Sequence, residues 1–246
     1  MTRIAVLSDI HGNLAALDAV LADAERRGFD SMVNLGDICS GGLYPSETAD
    51  RLMALNLPTI RGNHERQVLT SSTEHMGASD RHARAFLRAD QLAWLAQLPE
   101  ALRLEDSILM VHGTPRSDVE YFLHTVEETG LRPATVDEVR ERAAATRAAV
   151  ILCGHTHLPG LFQLDDGPFI INPGSVGLPA YDDDRPHPHV VEAGSPHARY
   201  GMLEARGSDW TVDLIAVPYD WEGAARTAEA NGRPDWARAL RTGRVR

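Results

Sequence analysis

Apolar runs and turn-forming residues alternate along the first part of the chain. The short apolar runs are typical of buried strands, and leucines at helical spacing predict helices between them. The first predicted elements are strand 4–7, helix 13–27, strand 31–35, helix 45–55 and strand 59–60. This order of strand, helix and strand predicts an α/β fold with a mostly parallel sheet.

The second half of the chain continues with a helical stretch and then with strands. Residues 79–98 have helical periodicity that predicts core positions for Phe86 and Trp94, and 136–147 is a predicted solvated helix. Strands are expected at 101–104, 107–111, 149–153, 160–164, 168–172, 200–205 and 210–216. The Asp-, Pro- and His-rich segment 180–197 is predicted to be a surface loop. This loop and the helical segment 79–98 are candidate cap elements in a single domain that spans the whole chain.

Composition narrows the class of protein. The chain has 246 residues, enough to bury a hydrophobic core without disulfides, and it contains two cysteines. Its formal net charge is -11, and its 24 basic residues are all arginine. That balance argues against binding to a long nucleic acid, which needs a basic surface. No apolar run is long enough to span a membrane, and the first residues lack the features of a signal peptide, so a cytoplasmic location is expected.

Five short segments rich in polar residues each follow an apolar run. They are Asp9-Ile10-His11, Gly36-Asp37, Gly62-Asn63-His64-Glu65, His112-Gly113 and Gly154-His155-Thr156-His157. Strands that each end in a metal ligand predict a metal site at one edge of the sheet. The candidate ligands are too many for one ion and suit two. These ligands are Asp9, His11, Asp37, Asn63, His112, His155 and His157.

The spacing of these ligands predicts how their side chains point. Residues two apart on an extended segment share a face, so Asp9 and His11 are expected to point together, as are His155 and His157. Asp37 stands alone at a strand end, where its carboxylate is placed to bridge two ions. Mixed oxygen and imidazole ligands suit manganese, iron or zinc better than magnesium or calcium. We expect two divalent transition-metal ions, with manganese first and nickel also open, and hence hydrolysis of a phosphate ester.

The combined motifs resemble the calcineurin-like metallophosphoesterase superfamily. The matching segments are SDIHGN, LGDI, RGNHE, VHGTP and CGHTH, and INPGSVGLP is similar to a small bacterial and archaeal phosphodiesterase-like branch. The resemblance implies a four-layer α/β/β/α sandwich of two packed mixed β-sheets flanked by helices. It also implies one metal on Asp9, His11 and His157, another on Asn63, His112 and His155, and a bridging Asp37.

The resemblance further implies the catalytic role of His64. This histidine and Asn63 would contact the phosphate, and His64 would protonate the leaving oxygen while a hydroxide between the metals attacks. Glu65 is expected to point away from the site and to orient the local backbone.

The segment after Asp37 departs from some branches of the family. Protein phosphatases and diadenosine tetraphosphatases continue this motif into Asp-Arg-Gly, whereas this chain continues Ile-Cys-Ser-Gly-Gly. The acid that would support His64 and the arginine that would hold the phosphate are missing at those positions. Arg61 and Arg116 are candidates for the missing positive charge.

Hydrolysis of a small phosphodiester is the leading hypothesis. A phosphomonoesterase or nucleotide pyrophosphatase would use the same metal ligands and stays open. A scaffold that keeps the fold for partner binding is the third alternative, and the presence of His64 argues against it. The expected partner is a small phosphorylated substrate, not a membrane or a long nucleic acid, and a homo-oligomer stays open.

Overall fold

The structure, a computed structural model, describes residues 2–105, 107–144, 146–207 and 209–246. The strands are β1 (Arg3–Leu7), β2 (Ser31–Asn34), β3 (Ala101–Leu104), β4 (Ile108–Val111), β5 (His124–Glu127), β6 (Gly130–Pro133), β7 (Val150–Leu152), β8 (Gly160–Gln163), β9 (Phe169–Asn172), β10 (Ala180–Asp183), β11 (His189–Glu192), β12 (Ala198–Arg206) and β13 (Asp209–Val217). The helices are α1 (Leu14–Arg27), α2 (Pro45–Leu55), α3 (Asn63–Thr70), α4 (Ala78–Phe86), α5 (Ala89–Gln97), α6 (Val136–Ala143), α7 (Trp221–Ala230) and α8 (Pro234–Thr242). None of these helices is long and apolar enough to cross a membrane.

Two mixed sheets form the centre of the fold. The first has the strand order β13–β12–β1–β2, in which β1 and β2 are parallel. The second has the order β3–β4–β7–β9–β8, in which β4, β7 and β9 are parallel. Two antiparallel hairpins, β5–β6 and β10–β11, are separate from these sheets. The parallel strands matter for function because their carboxyl ends lie at the same edge of a sheet.

Alternate residues of the central strands face two different cores. In β1, Ile4 and Val6 pack into the core between the two sheets, whereas Ala5 and Leu7 pack against helices on the outer face. The strands β4, β7 and β9 divide in the same way between the inner core and the side covered by α6. Successive side chains of a strand point to opposite faces, so strands buried on both faces have continuous apolar sequences. The predicted four-layer sandwich is therefore confirmed.

Segment 79–98 is helical as predicted, but it forms two helices, since α4 ends at Phe86 and α5 begins at Ala89. Two other predictions about the elements around the sheets are wrong. Phe86, predicted to lie in the core, exposes 59% of its surface. Trp94 packs against the core between the first sheet and its covering helices. Segment 180–197 is not a loop, because it contains the two strands of the β10–β11 hairpin.

Candidate metal centre and cleft

The seven predicted metal ligands converge at one edge of the paired sheets. In each sheet the carboxyl ends of the parallel strands deliver them, which is where open α/β sheets bind ligands. Asn63 arrives separately as the first residue of α3, a helix that the apolar pattern did not predict. The other ligands follow β1 (Asp9, His11), β2 (Asp37), β4 (His112) and β7 (His155, His157).

Five of these residues have a left-handed backbone, although the paired ligands Asp9/His11 and His155/His157 were expected on extended segments. Non-glycine residues in this region cost on the order of 1–3 kcal/mol each and persist where the surroundings fix them. The paired ligands therefore converge because each residue turns out of the strand, and the expectation of an extended segment was wrong. The φ angles are 55° for Asp9, 54° for His11, 55° for Asp37, 67° for His155 and 57° for His157.

Asp9, His11 and His157 form a first triad whose ligand atoms all lie within 4.8 Å of one another. The Nε2 atoms of the two histidines are 3.0 Å apart, and Asp9 Oδ1 lies 3.4 Å from His157 Nε2. Each histidine has its Nδ1 2.7 Å from a backbone carbonyl oxygen. A carbonyl can only accept, so each Nδ1 carries a proton and each ring presents its Nε2 to the site. Such a pair beside a carboxylate fits a divalent cation.

Asp37, His112 and His155 form a second triad with the same spacing of ligand atoms. His112 Nε2 lies 3.1 Å from Asp37 Oδ2 and 3.1 Å from Asn63 Oδ1. Its Nδ1 lies 2.8 Å from a backbone carbonyl oxygen, so this ring too presents Nε2 to the site. His112 Nε2 is also 4.0 Å from Asp9 Oδ1, which brings the two triads into contact.

Burial and neighbouring charges set the protonation of these groups. Burial, together with the nearby His157, lowers the pKa of His11 to about 3. Burial alone would raise the pKa of Asp9, but the charge of His157 and its hydrogen bond lower it to about 2. Burial alone would lower the pKa of His112, but the charge of Asp37 raises it to about 10. At neutral pH and without metal, the triads therefore combine ionised carboxylates with a neutral His11 and a protonated His112. A metal ion that binds His112 would displace its Nε2 proton, as metal binding to imidazoles generally does.

Glu65 fixes the loop that carries Asp37. Its buried carboxylate accepts hydrogen bonds of 2.8 Å from the backbone N–H groups of Gly62, Asp37 and Ile38. The two segments approach so closely that a Cβ on Gly62 would lie 2.2 Å from Asp37 Oδ1. Glu65 thus orients the backbone, as the sequence led us to expect, and belongs to neither triad.

His64 lies beside the triads and is held by an aspartate that the sequence did not identify. Its Nδ1 lies 2.7 Å from Asp80 Oδ1, and Ser40 Oγ donates to the same oxygen at 2.7 Å. Burial alone would lower the pKa of His64, but the charge of Asp37 and the hydrogen bond to Asp80 raise it to about 9. His64 is therefore protonated at neutral pH, with Nδ1 bound to Asp80 and Nε2–H left as a donor.

A cleft of about 1500 Å³ opens in front of the triads. His64 lines it together with Ser79 and Asp80 of α4, residues of the β10–β11 hairpin, and Trp236 of α8. The two segments named as candidate caps thus both contribute to its walls. A cleft of this size has room for a ligand much larger than phosphate.

The two arginines expected to supply positive charge lie elsewhere. Arg61 pairs with Glu100, and Arg116 pairs with two glutamates on the surface. Neither belongs to the residues that line the cleft. Arg66, one turn along α3, does line it, and two of its guanidinium nitrogens bind Asp118. The expectation about Arg61 and Arg116 was therefore wrong.

Comparison with known proteins establishes the family. The family model for the calcineurin-like phosphoesterase superfamily domain matches residues 2–193, so the chain belongs to this superfamily of metal-dependent phosphoesterases. The resemblance inferred from the motifs is thereby confirmed. The superfamily uses divalent metal ions, which agrees with the two triads.

Individual relatives support the assignment to a bacterial and archaeal branch. An uncharacterized protein of Methanocaldococcus jannaschii is 29% identical over 259 residues, which cover 96% of this chain and 95% of that one. The phosphodiesterase YfcE of Escherichia coli K12 is 27% identical over 214 residues, covering 83% of this chain and 88% of that one. The crystal structure of a metallophosphoesterase from Sphaerobacter thermophilus has 24% identity and a TM-score of 0.76, with 99% of each chain covered, and so shares the fold.

Proposed function

We propose that this protein is a two-metal phosphoesterase that hydrolyses a small phosphodiester. The observation that carries the proposal is the contact between two ligand triads beside a histidine that Asp80 holds in place. We assign Asp37 to the position between the ions because its Oδ2 faces His112 and its Oδ1 accepts the backbone N–H of His64 at 3.0 Å. The ligands of the first ion would be Asp9, His11 and His157, and those of the second ion Asn63, His112 and His155.

The residues beside the triads would handle the substrate. Two divalent ions, when bound, lower the pKa of water from about 15.7 to roughly 7 and so supply a nucleophile at neutral pH. His64 donates its Nε2 proton to the leaving oxygen, because an alkoxide leaves poorly without one. Asp80 and Ser40 hold the His64 ring in place through Asp80 Oδ1. The Asn63 amide directs its oxygen toward His112, so its nitrogen can donate to the phosphate.

Two observations favour a diester over a monoester. The cleft of about 1500 Å³ has room for substituents on both sides of a phosphate. The relative from Escherichia coli is itself named a phosphodiesterase.

We also retain from the sequence a cytoplasmic location, manganese as the first metal to test, and a small substrate. The formal net charge of -11 disfavours a long nucleic acid. Iron, zinc and nickel suit the same mixed donor set and belong in the metal screen.

The decisive experiment compares two chromogenic esters with the full-length protein loaded with Mn²⁺. We expect bis-p-nitrophenyl phosphate to be hydrolysed faster than p-nitrophenyl phosphate, with about two metal ions per chain by elemental analysis. Protein stripped with a chelator is the control and should regain activity when Mn²⁺ returns. Faster turnover of the monoester would replace the diesterase with a phosphomonoesterase, and no turnover of either ester by metal-replete protein would leave the scaffold alternative.

A further inference from the structure

One imidazole of the two triads lacks the anchor that the other three have. Backbone carbonyl oxygens lie 2.7 Å from Nδ1 of His11 and of His157, and 2.8 Å from Nδ1 of His112. No residue that the structure describes is hydrogen-bonded to the imidazole of His155. Metal-ligating imidazoles are normally oriented through their second nitrogen. The orientation of His155 therefore depends on what packs around it.

Two tyrosines surround His155. The ring of Tyr121 packs against the imidazole, with 5.1 Å between ring centroids. The Tyr181 hydroxyl lies 3.3 Å from the carbonyl oxygen of His155, and its ring packs against His157 at 4.7 Å between centroids. The two tyrosine hydroxyls are 2.7 Å apart. The pair thus packs against the imidazole of His155 and lies beside its backbone.

His189 fixes the tyrosine pair from the other side. It is buried in β11, with its Nε2 2.9 Å from Tyr121 Oη and its Nδ1 2.9 Å from the carbonyl oxygen of His187. That carbonyl keeps the proton of the neutral ring on Nδ1, so Tyr121 donates to Nε2 and accepts from Tyr181. A directed chain of hydrogen bonds therefore runs from Tyr181 to the backbone of the hairpin.

We propose that Tyr121, Tyr181 and His189 are positioning residues that orient His155 and so set the affinity of the second triad for its metal. The inference rests on the proposed two-metal centre. The first triad depends less on this network, because His11 and His157 have carbonyl anchors of their own. The β10–β11 hairpin supplies Tyr181 and His189 and therefore contributes to the metal affinity of the second triad.

The test is a Mn²⁺ titration of metal-free protein by calorimetry, paired with electron paramagnetic resonance of the bound ions. Tyr181→Phe removes the hydroxyl and keeps the ring, and Tyr121→Phe does the same beside His155. Each change should weaken one of the two sites about tenfold, at the lower end of the range for partners of metal ligands, and leave the other within about twofold. At limiting Mn²⁺ the spectrum should shift from a coupled pair toward an isolated ion.

Tyr44→Phe is the matched control, because its hydroxyl bonds Thr227 at 2.7 Å and contacts neither triad. It should bind both ions like the wild type. If Tyr121→Phe and Tyr181→Phe keep both affinities, or lose both equally, the positioning role is overturned while the two-metal proposal stands. A wild-type protein that binds fewer than two ions overturns both.

Discussion

The ligand segments and the walls of the cleft are built in opposite ways. Each strand-borne ligand follows directly on a buried parallel strand, so one short stretch of sequence encodes both the strand and the ligand. The walls instead bring together residues that are far apart in the chain, such as Asp80 of α4 and Tyr181 of β10. In this protein the candidate metal ligands are encoded locally, whereas the groups around them depend on tertiary packing.

The largest effect should come from a ligand rather than from a wall residue. Asp37→Asn removes the charge that faces both triads, so the affinity for at least one metal should fall more than about 100-fold, beyond the range for partners of ligands. Diester hydrolysis should fall with it, measured on bis-p-nitrophenyl phosphate at fixed Mn²⁺. Asp182→Asn, on the exposed wall of the same cleft, is the control and should change neither quantity much. Equal losses in the two variants would abolish the distinction between ligands and walls.

The next effect should come from the wall residue that holds His64. His64→Ala should slow hydrolysis about 10²–10⁴-fold for diesters with poor leaving groups, as expected for a lost general acid. Asp80→Asn should slow it about 10- to 100-fold, because hydrogen bonds to charged groups contribute about 1.5–3 kcal/mol. Neither change should alter Mn²⁺ affinity appreciably.

The dependence on the leaving group separates this role from a structural one. p-Nitrophenolate leaves without protonation, so its esters should lose less rate than alkyl esters in both variants. Asp50→Asn, which breaks an exposed pair with Arg88, serves as the matched control. A loss in Asp80→Asn that is the same for every leaving group would place Asp80 outside the proton transfer.

The sequence predicted the layers, the strands of the two large sheets and the convergence of the seven candidate ligands, because each of these leaves a local signal. An apolar run followed by Asp or His is visible without knowing which strands pair. The partner of His64 leaves no such signal, because Asp80 lies in the first turn of an otherwise ordinary helix. The left-handed φ of Asp9 and His11 is also invisible in the sequence, since neither residue is glycine.

Glu65 shares features of both groups. It belongs to the local motif that also contains Asn63 and His64, but its carboxylate supports the distant loop of Asp37. Glu65→Gln replaces one carboxylate oxygen with an NH₂ group, so a buried backbone N–H of the Asp37 loop loses its acceptor. Unfolding in urea should show a loss of about 1–3 kcal/mol in the free energy of unfolding. Glu47→Gln on the exposed face of α2 should stay within about 0.5 kcal/mol. An unchanged midpoint for Glu65→Gln would show that the loop holds Asp37 without it.

The smallest effect should come from Phe86, where periodicity and structure disagree. Helical spacing placed Phe86 in the core, but the break before α5 leaves it on the surface against His82, with 4.6 Å between ring centroids. Phe86→Ser should therefore change the free energy of unfolding by no more than about 0.5 kcal/mol. Leu95→Ala, at a position 1% exposed in α5, should cost about 2–5 kcal/mol in the same urea experiment. Similar losses at both positions would mean that one continuous amphipathic helix packs on the sheet. The position of Asp80 in the wall of the cleft would then be wrong.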